Sequence, residues 1–232
     1  MTTILNRSSL ASGRYLDLFE SLPANLRWSS EQIERSLQQT LRVRPVGSDI
    51  WLFGYGSLIW NPLINYTQTS RATLPGFSRS FCIETVAGRA TPAAPGRMLA
   101  LEPGGTTQGI VFRLADAMHE HELRLVWYRE MPTGAYIPMW QPVRLDNDQS
   151  IMALVFIANP DHPQHRIDTS VATVASAILG ASGPLGSNSE YVLKLDTALR
   201  LHALQDAYVT ALAQVLQPDR NSSHADSARS LP

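Results

Sequence analysis

Glu130 is the residue whose position most asks for a chemical explanation. Leu123, Val126 and Trp127 recur at helical spacing in the segment that ends at Met131, and three more residues from Trp127 reach Glu130. A carboxyl on the apolar face of a helix loses solvation, which disfavours its charged form and raises its pKa toward neutrality. Such a group can take a proton as general base and return it as general acid. Spacing alone leaves a buried ion pair with Arg129 or Arg124 equally open.

A second stretch could hold an anion. Trp51-Leu52-Phe53 is too apolar for a half-exposed strand and reads as one buried on both faces. It changes abruptly to Gly54-Tyr55-Gly56-Ser57. A core strand opening into a small-residue turn presents backbone N–H groups that can bind a carboxylate or an oxyanion. The turn is not a dinucleotide fingerprint, because the third glycine is missing and Trp60-Asn61-Pro62 stops any helix that should follow. No Gly-Lys-Ser/Thr follows either, which excludes a nucleoside triphosphate loop. The glycines by themselves also fit a plain structural bend.

The two stretches come together in a resemblance. Phe53-Gly54-Tyr55-Gly56-Ser57-Leu58-Ile59-Trp60-Asn61-Pro62 resembles the hallmark loop of the ChaC-type gamma-glutamylcyclotransferases, which cleave glutathione to 5-oxoproline and cysteinylglycine. Tyr128-Arg129-Glu130-Met131-Pro132-Thr133-Gly134-Ala135-Tyr136 is similar to that family's Arg-Glu segment, with Ala135 where a second glycine is common. Arg89-Ala90-Thr91-Pro92, followed by Pro95-Gly96-Arg97, resembles an Arg-Gly-Thr-Pro…Pro-Gly-Arg segment, with alanine replacing the first glycine. Asn188-Ser189-Glu190-Tyr191 resembles an Asn-x-Glu-Tyr helix start. The likeness runs from about Trp51 to the last long helix.

The resemblance implies an α+β fold, a small and mainly antiparallel β-barrel with helices around it. It implies a lyase with Glu130 as general base and acid, and with Tyr55, Gly56, Ser57, Leu58, Arg89 and Tyr191 binding substrate. The substrate brings its own nucleophile, an alpha-amine that closes a five-membered ring on the gamma-carbonyl, so no cofactor and no metal are expected. Whether the Tyr55–Leu58 turn holds the glutamyl carboxylate or the oxyanion stays open. Arg97 fits a structural role better than a binding one. Alternatives are a cyclotransferase for other gamma-glutamyl amino acids or amines, or a non-catalytic ligand sensor. Loss of the base would mark the sensor, and Glu130 is present.

The elements that must position these residues follow from the rest of the pattern. Ser29 and Gln32 form a capping box before Ile33, Leu37 and Leu41, a helix that Pro45 ends. Strands are expected over 50–56, 72–83, 98–102, 108–114, 136–145 and 151–158, with Pro103-Gly104-Gly105 as a turn between two of them. Pro75 and Pro138 belong at edges or bulges. The helix bearing Glu130 is expected to start from Asp116 as N-cap. A further helix covers 169–179. A long one then carries Tyr191, Leu195, Leu199, His202, Val209, Ala213 and Leu216 in one stripe, with Ser187 and Glu190 as its capping box.

Residues 1–48 are expected as a helical lead-in packed on the domain, loosely held up to about residue 14. Residues 49–217 form the catalytic domain and 218–232 a polar, disordered tail.

At 232 residues the chain suits one well-cored domain with an appendage. A net charge of −1 gives no reason to expect nucleic acid or an acidic membrane as partner. The longest apolar run, Ile151 to Ala158, is far too short to span a bilayer. The single cysteine, Cys82, suits a reducing cytoplasm and reads as a core residue. A cytoplasmic monomer is expected. His119 and His121 fall on different helix faces, and Asp161-His162-Pro163-Gln164-His165 reads as a solvated loop.

Overall fold

Trp51–Gly54 forms β1, buried along its whole length, and a closed five-stranded barrel is built around it. The structure is a computed structural model and describes residues 4–217. The other barrel strands are β2 (Gln68–Thr85), β3 (Gly96–Arg113), β4 (Tyr136–Leu145) and β5 (Ser150–Ala158). Their order is β1-β3-β2-β4-β5. Every pairing is antiparallel except the closing one, where Trp51 and Leu52 lie parallel to Ala153 and Leu154 of β5. With a neighbour on each edge and core on each face, β1 has no use for polar side chains.

Pro103-Gly104-Gly105 is not a turn between strands. It lies inside β3, opposite Pro75-Gly76-Phe77 of β2, where the pairing slips between Pro75 and Phe77. Gly76, Gly104 and Gly105 all take positive φ, so punctuation that reads as a reversal serves instead as a paired bulge bending one long hairpin. Pro138 lies on β4 away from the short contact of that strand with β2, which involves Leu145 and Arg144. That is an edge stretch of β4, where proline is tolerated.

The helices are α1 (Arg7–Ala11), α2 (Ser30–Arg42), α3 (His119–Glu130), α4 (Val171–Leu179), α5 (Asn188–Leu201) and α6 (Ala207–Leu216). The Ser29–Gln32 capping box opens α2, and Ile33 and Leu37 enter the main core. Residues 4–14 are more ordered than their lack of period suggests. Asn6 and Ser9 form a reciprocal capping box on α1, and Leu10 is fully buried. The expected long last helix is two. Ala203 takes φ 54° after α5, and Asp206 caps α6 by accepting from Val209 N. The apolar stripe continues through the break because α5 and α6 pack on the same core. The expected tail, 218–232, lies outside the described residues.

Candidate active site

α3 delivers the carboxylate. Leu123, Val126 and Trp127 are buried in the core, and Glu130 is the last residue of the helix before Pro132 prevents its continuation. The start differs from expectation. The helix opens at His119 with Met118 at the N-cap and no side-chain cap, while Asp116 supplies only a backbone carbonyl, 2.6 Å from His119 Nδ1. The Glu130 side chain is 19 % exposed, and that exposure is to a cavity of about 860 Å³. Burial pushes its pKa up, and the neighbouring Arg129 guanidinium pulls the other way without cancelling the effect. Arg129 Nε is 3.2 Å from Glu130 Oε1. The ion pair and the raised pKa, alternatives in the sequence, therefore coexist.

The loop after β1 meets this helix end through the same guanidinium. Arg129 Nη2 donates to Ser57 Oγ at 2.7 Å, and Nη1 donates to the Asn61 carbonyl at 2.5 Å. A 3₁₀ turn over Ser57–Ile59 follows Gly56. Tyr55 turns into the barrel, where its hydroxyl donates to the Phe156 carbonyl at 2.7 Å. Its own carbonyl accepts from Arg79 Nε at 2.7 Å. Arg79 is itself fully buried and paired with Asp206 at 3.0 Å, a support that nothing in the local sequence announces. Leu58 packs in the core. Of the four turn residues, Ser57 alone lines the cavity.

Gly56 is not at positive φ. Its φ is −127°, and the need for glycine comes from close approach. A Cβ there would stand 2.9 Å from the Tyr191 hydroxyl and 3.3 Å from Leu99 Cδ2. Tyr191 lines the cavity from the first turn of α5, and burial pushes its phenol up to about 12. Arg89 lies across it, its guanidinium carbon 5.6 Å from the ring centroid. Arg89 Nη1 also donates to the Ser187 carbonyl and to Glu190 Oε2, both at 2.9 Å. Glu190 does not complete a capping box. Ser187 accepts from Glu190 N, but the Glu190 carboxylate goes to Arg89 and Lys194. Asn188, fully buried, ties the start of α5 to β3 by accepting from Arg97 N at 2.7 Å and donating to Arg97 O at 2.9 Å. Arg97 is buried on β3 and does not line the cavity.

A glutamate, a serine, a tyrosine and an arginine thus converge on one cavity from α3, the post-β1 loop, α5 and the β2–β3 connection. Residues 50–218 match the family model of the ChaC-like proteins. The chain belongs to the ChaC-like family. It is 42% identical over 203 residues to the glutathione-specific gamma-glutamylcyclotransferase of Escherichia coli K12, covering 88% of both chains. It is 32% identical to glutathione-specific gamma-glutamylcyclotransferase 1 of Danio rerio, covering 66% of this chain and 81% of that one. Among solved structures it is similar to a yeast gamma-glutamyl cyclotransferase specific to glutathione, with a TM-score of 0.67 and 25% identity, covering 73% of this chain and 96% of the other.

One part of this ChaC-like site escaped the sequence. Tyr15, Phe19 and Leu22, N-terminal to the residues matched by the family model, line the cavity wall. Tyr15 and Phe19 belong to a 3₁₀ helix over Arg14–Phe19. Behind it α1 is fastened to α3, because Arg7 makes a bidentate bond to Glu122 at 2.7 and 2.9 Å. Asn65 N and Nδ2 donate to the same carboxylate at 2.8 and 3.2 Å. Burial alone would raise the pKa of Glu122, yet these donors hold it below the ordinary carboxylate range. No periodicity marks these N-terminal residues, so only their contacts reveal them. Likewise the loop expected to be solvated is partly packed. Gln164 is buried and lines the cavity, and His165 joins Cys82 and Glu102 in a cluster of possible ligand atoms. Among the described residues, no helix is long and apolar enough to cross a membrane.

Proposed function

We propose that this chain is a glutathione-specific gamma-glutamylcyclotransferase, with residues 49–217 as its catalytic domain and Glu130 as its general base and acid. The observation that carries the assignment of the base is the recessed Glu130 carboxyl, raised in pKa by burial and joined through Arg129 to the Ser57 loop. Glu130 takes a proton from the alpha-ammonium of the glutamyl group. The freed amine attacks the gamma-carbonyl carbon and pushes its electron pair onto oxygen. Collapse of that tetrahedral oxyanion breaks the amide C–N bond. Protonated Glu130 gives its proton to the departing cysteinyl amine, and the surplus proton on the new ring nitrogen passes to the same amine, which leaves as an ammonium. The products are 5-oxoproline and cysteinylglycine.

Nucleophile and electrophile share one molecule, so the protein's main task is to hold the chain folded. Of the Tyr55–Leu58 turn, Ser57 reaches the cavity, and its N–H suits the glutamyl carboxylate or the oxyanion. Arg89 suits a substrate carboxylate, and Tyr191 closes the cavity beside it. A monomer is the proposed state, supported by the convergence of Glu130, Ser57, Arg89 and Tyr191 of one chain on one cavity. An enzyme that consumes an intracellular thiol and carries one cysteine fits the cytoplasm. Incubation with glutathione and with gamma-glutamyl-alanine, with 5-oxoproline as readout, tests the proposal. Release from glutathione alone is the expected result, release from gamma-glutamyl-alanine alone would shift the substrate, and release from neither would end the assignment.

A further inference from the structure

Cys82, Glu102 and His165 stand together outside the cavity that holds Glu130. The thiol sulfur, a carboxylate oxygen and a ring nitrogen all lie within 4.8 Å of one another. We propose that this cluster is a second site, binding a thiol-seeking divalent cation of the zinc type.

The donor set is the first argument. Thiolate, imidazole and carboxylate are the ligands zinc takes, at about 2.0–2.3 Å, so three of them around one ion stand roughly 3.3–3.8 Å apart. The present spread therefore needs a closure of only about 1 Å, within reach of side-chain rotation. His165 Nε2 is already 2.9 Å from Glu102 Oε1.

The backbone holds the three donors where they are. Cys82 and Glu102 belong to the paired strands β2 and β3, beside a slip in register between Ser80 and Ile83. The loop carrying His165 is laced to β2 on both sides. Glu84 N donates to Gln164 O and Arg166 N to Cys82 O, each at 2.8 Å, and His165 forms an isolated bridge with Ile83. Ligands from separate elements, each fixed by main-chain bonds, are what a metal site requires before the ion arrives.

Ser80 is buried beside Cys82, and its Oγ is otherwise without a hydrogen-bond partner among the described residues, which is uncommon for a buried polar atom. It lies on the same strand as Cys82 and, with Glu102, lines a shallow cleft through which an ion could enter.

The ion would pin the loop over 162–166 to the barrel. Ile83 and Gln164, neighbours of two ligands in the chain, line the Glu130 cavity. Occupancy would stiffen that wall without touching the base.

The test uses full-length protein stripped with a chelator and then freed of it. Zn²⁺ is titrated against a chromophoric competitor, and Co²⁺ serves as a spectroscopic probe. Cys82 is the single cysteine, so any thiolate-to-cobalt charge-transfer band must come from it. The expected result is one ion per chain with that band present. The band vanishes in Cys82→Ala, and Zn²⁺ binds at least about tenfold more weakly to Glu102→Gln and His165→Asn, the usual scale for loss of a ligand or its partner. Wild-type protein without stoichiometric Zn²⁺ binding, a cobalt spectrum without the thiolate band, or undiminished binding by Cys82→Ala would each overturn the proposal. Should the variants fail to fold, the wild-type cobalt spectrum still decides.

Discussion

Arg129 donates to Ser57 Oγ at 2.7 Å while its Nε lies 3.2 Å from the Glu130 carboxylate. One guanidinium therefore holds both the loop after β1 and the proposed base, and its charge is shared with the Asn61 carbonyl. The planar fork suits this triple duty, and an amide or ammonium does not. Arg129→Gln is expected to lower kcat by at least about tenfold through lost positioning. It should also move the acid limb of the kcat/KM profile to higher pH, because Arg129 is the charge that holds the Glu130 pKa down. An unmoved limb would separate Arg129 from the base.

Glu130→Gln is isosteric but cannot accept the ammonium proton, so turnover should fall at least about a hundredfold. Stability should change in the opposite sense. The folded-state pKa of Glu130 lies above its unfolded value, so ionisation above the unfolded carboxylate range works against the fold. The variant should therefore melt at or above wild type at neutral pH, and the difference should close as pH falls below that range. Thermal melts of both proteins across the acid range check the sign, and a variant markedly less stable at pH 7 would contradict it.

Gly56→Ala places a methyl carbon 2.9 Å from the Tyr191 hydroxyl. Activity should fall by more than stability does. Tyr191→Phe in the same chain removes the crowding atom and should restore urea midpoint and substrate affinity in part. Gly104→Ala is the control. It meets no atom within 4 Å but sits at φ +114°, so it should cost about 1–2 kcal/mol and leave KM unchanged. Parallel losses in both variants would reduce the Tyr55–Leu58 loop to a fold element.

Arg7→Ala leaves the fully buried Glu122 carboxylate with only the Asn65 donors. A loss of about 1–3 kcal/mol is expected, less than for a fully buried pair because Arg7 is itself partly exposed. Glu122 is held below its unfolded pKa, so its contribution is present above the unfolded carboxylate range and fades as pH falls through the folded value. Urea midpoints of Glu122→Gln and wild type should differ at pH 7 and converge in acid. KM should rise in Arg7→Ala if loosening α1 disturbs the wall at Tyr15 and Phe19. A midpoint equal to wild type would show that the bidentate bond contributes nothing.

Cyclotransferase turnover should survive exhaustive chelation, since ring closure needs a proton acceptor and a folded substrate rather than a Lewis acid. Loss of turnover restored by zinc would tie the Cys82 cluster to catalysis and contradict the mechanism proposed for Glu130.

The sequence by itself determined what repeats locally or is carried by a contiguous motif. The buried β1, the α2 capping box, the apolar stripe that ends on Glu130, and the likeness around Phe53–Pro62 were all legible there. Each depends on neighbours within a few residues, where helical and strand periods act. Only the tertiary structure decided which distant residues share a surface. It turned Pro103-Gly104-Gly105 from a reversal into a bulge, because Pro75-Gly76 lies across the ladder. It split the last helix at Ala203, and it brought Tyr15 to the cavity through Arg7 and Glu122, 115 residues apart. It also set His165 beside Cys82 and Glu102. Long-range pairing depends on barrel closure and register, and no local pattern of side chains encodes which strand a given residue will face.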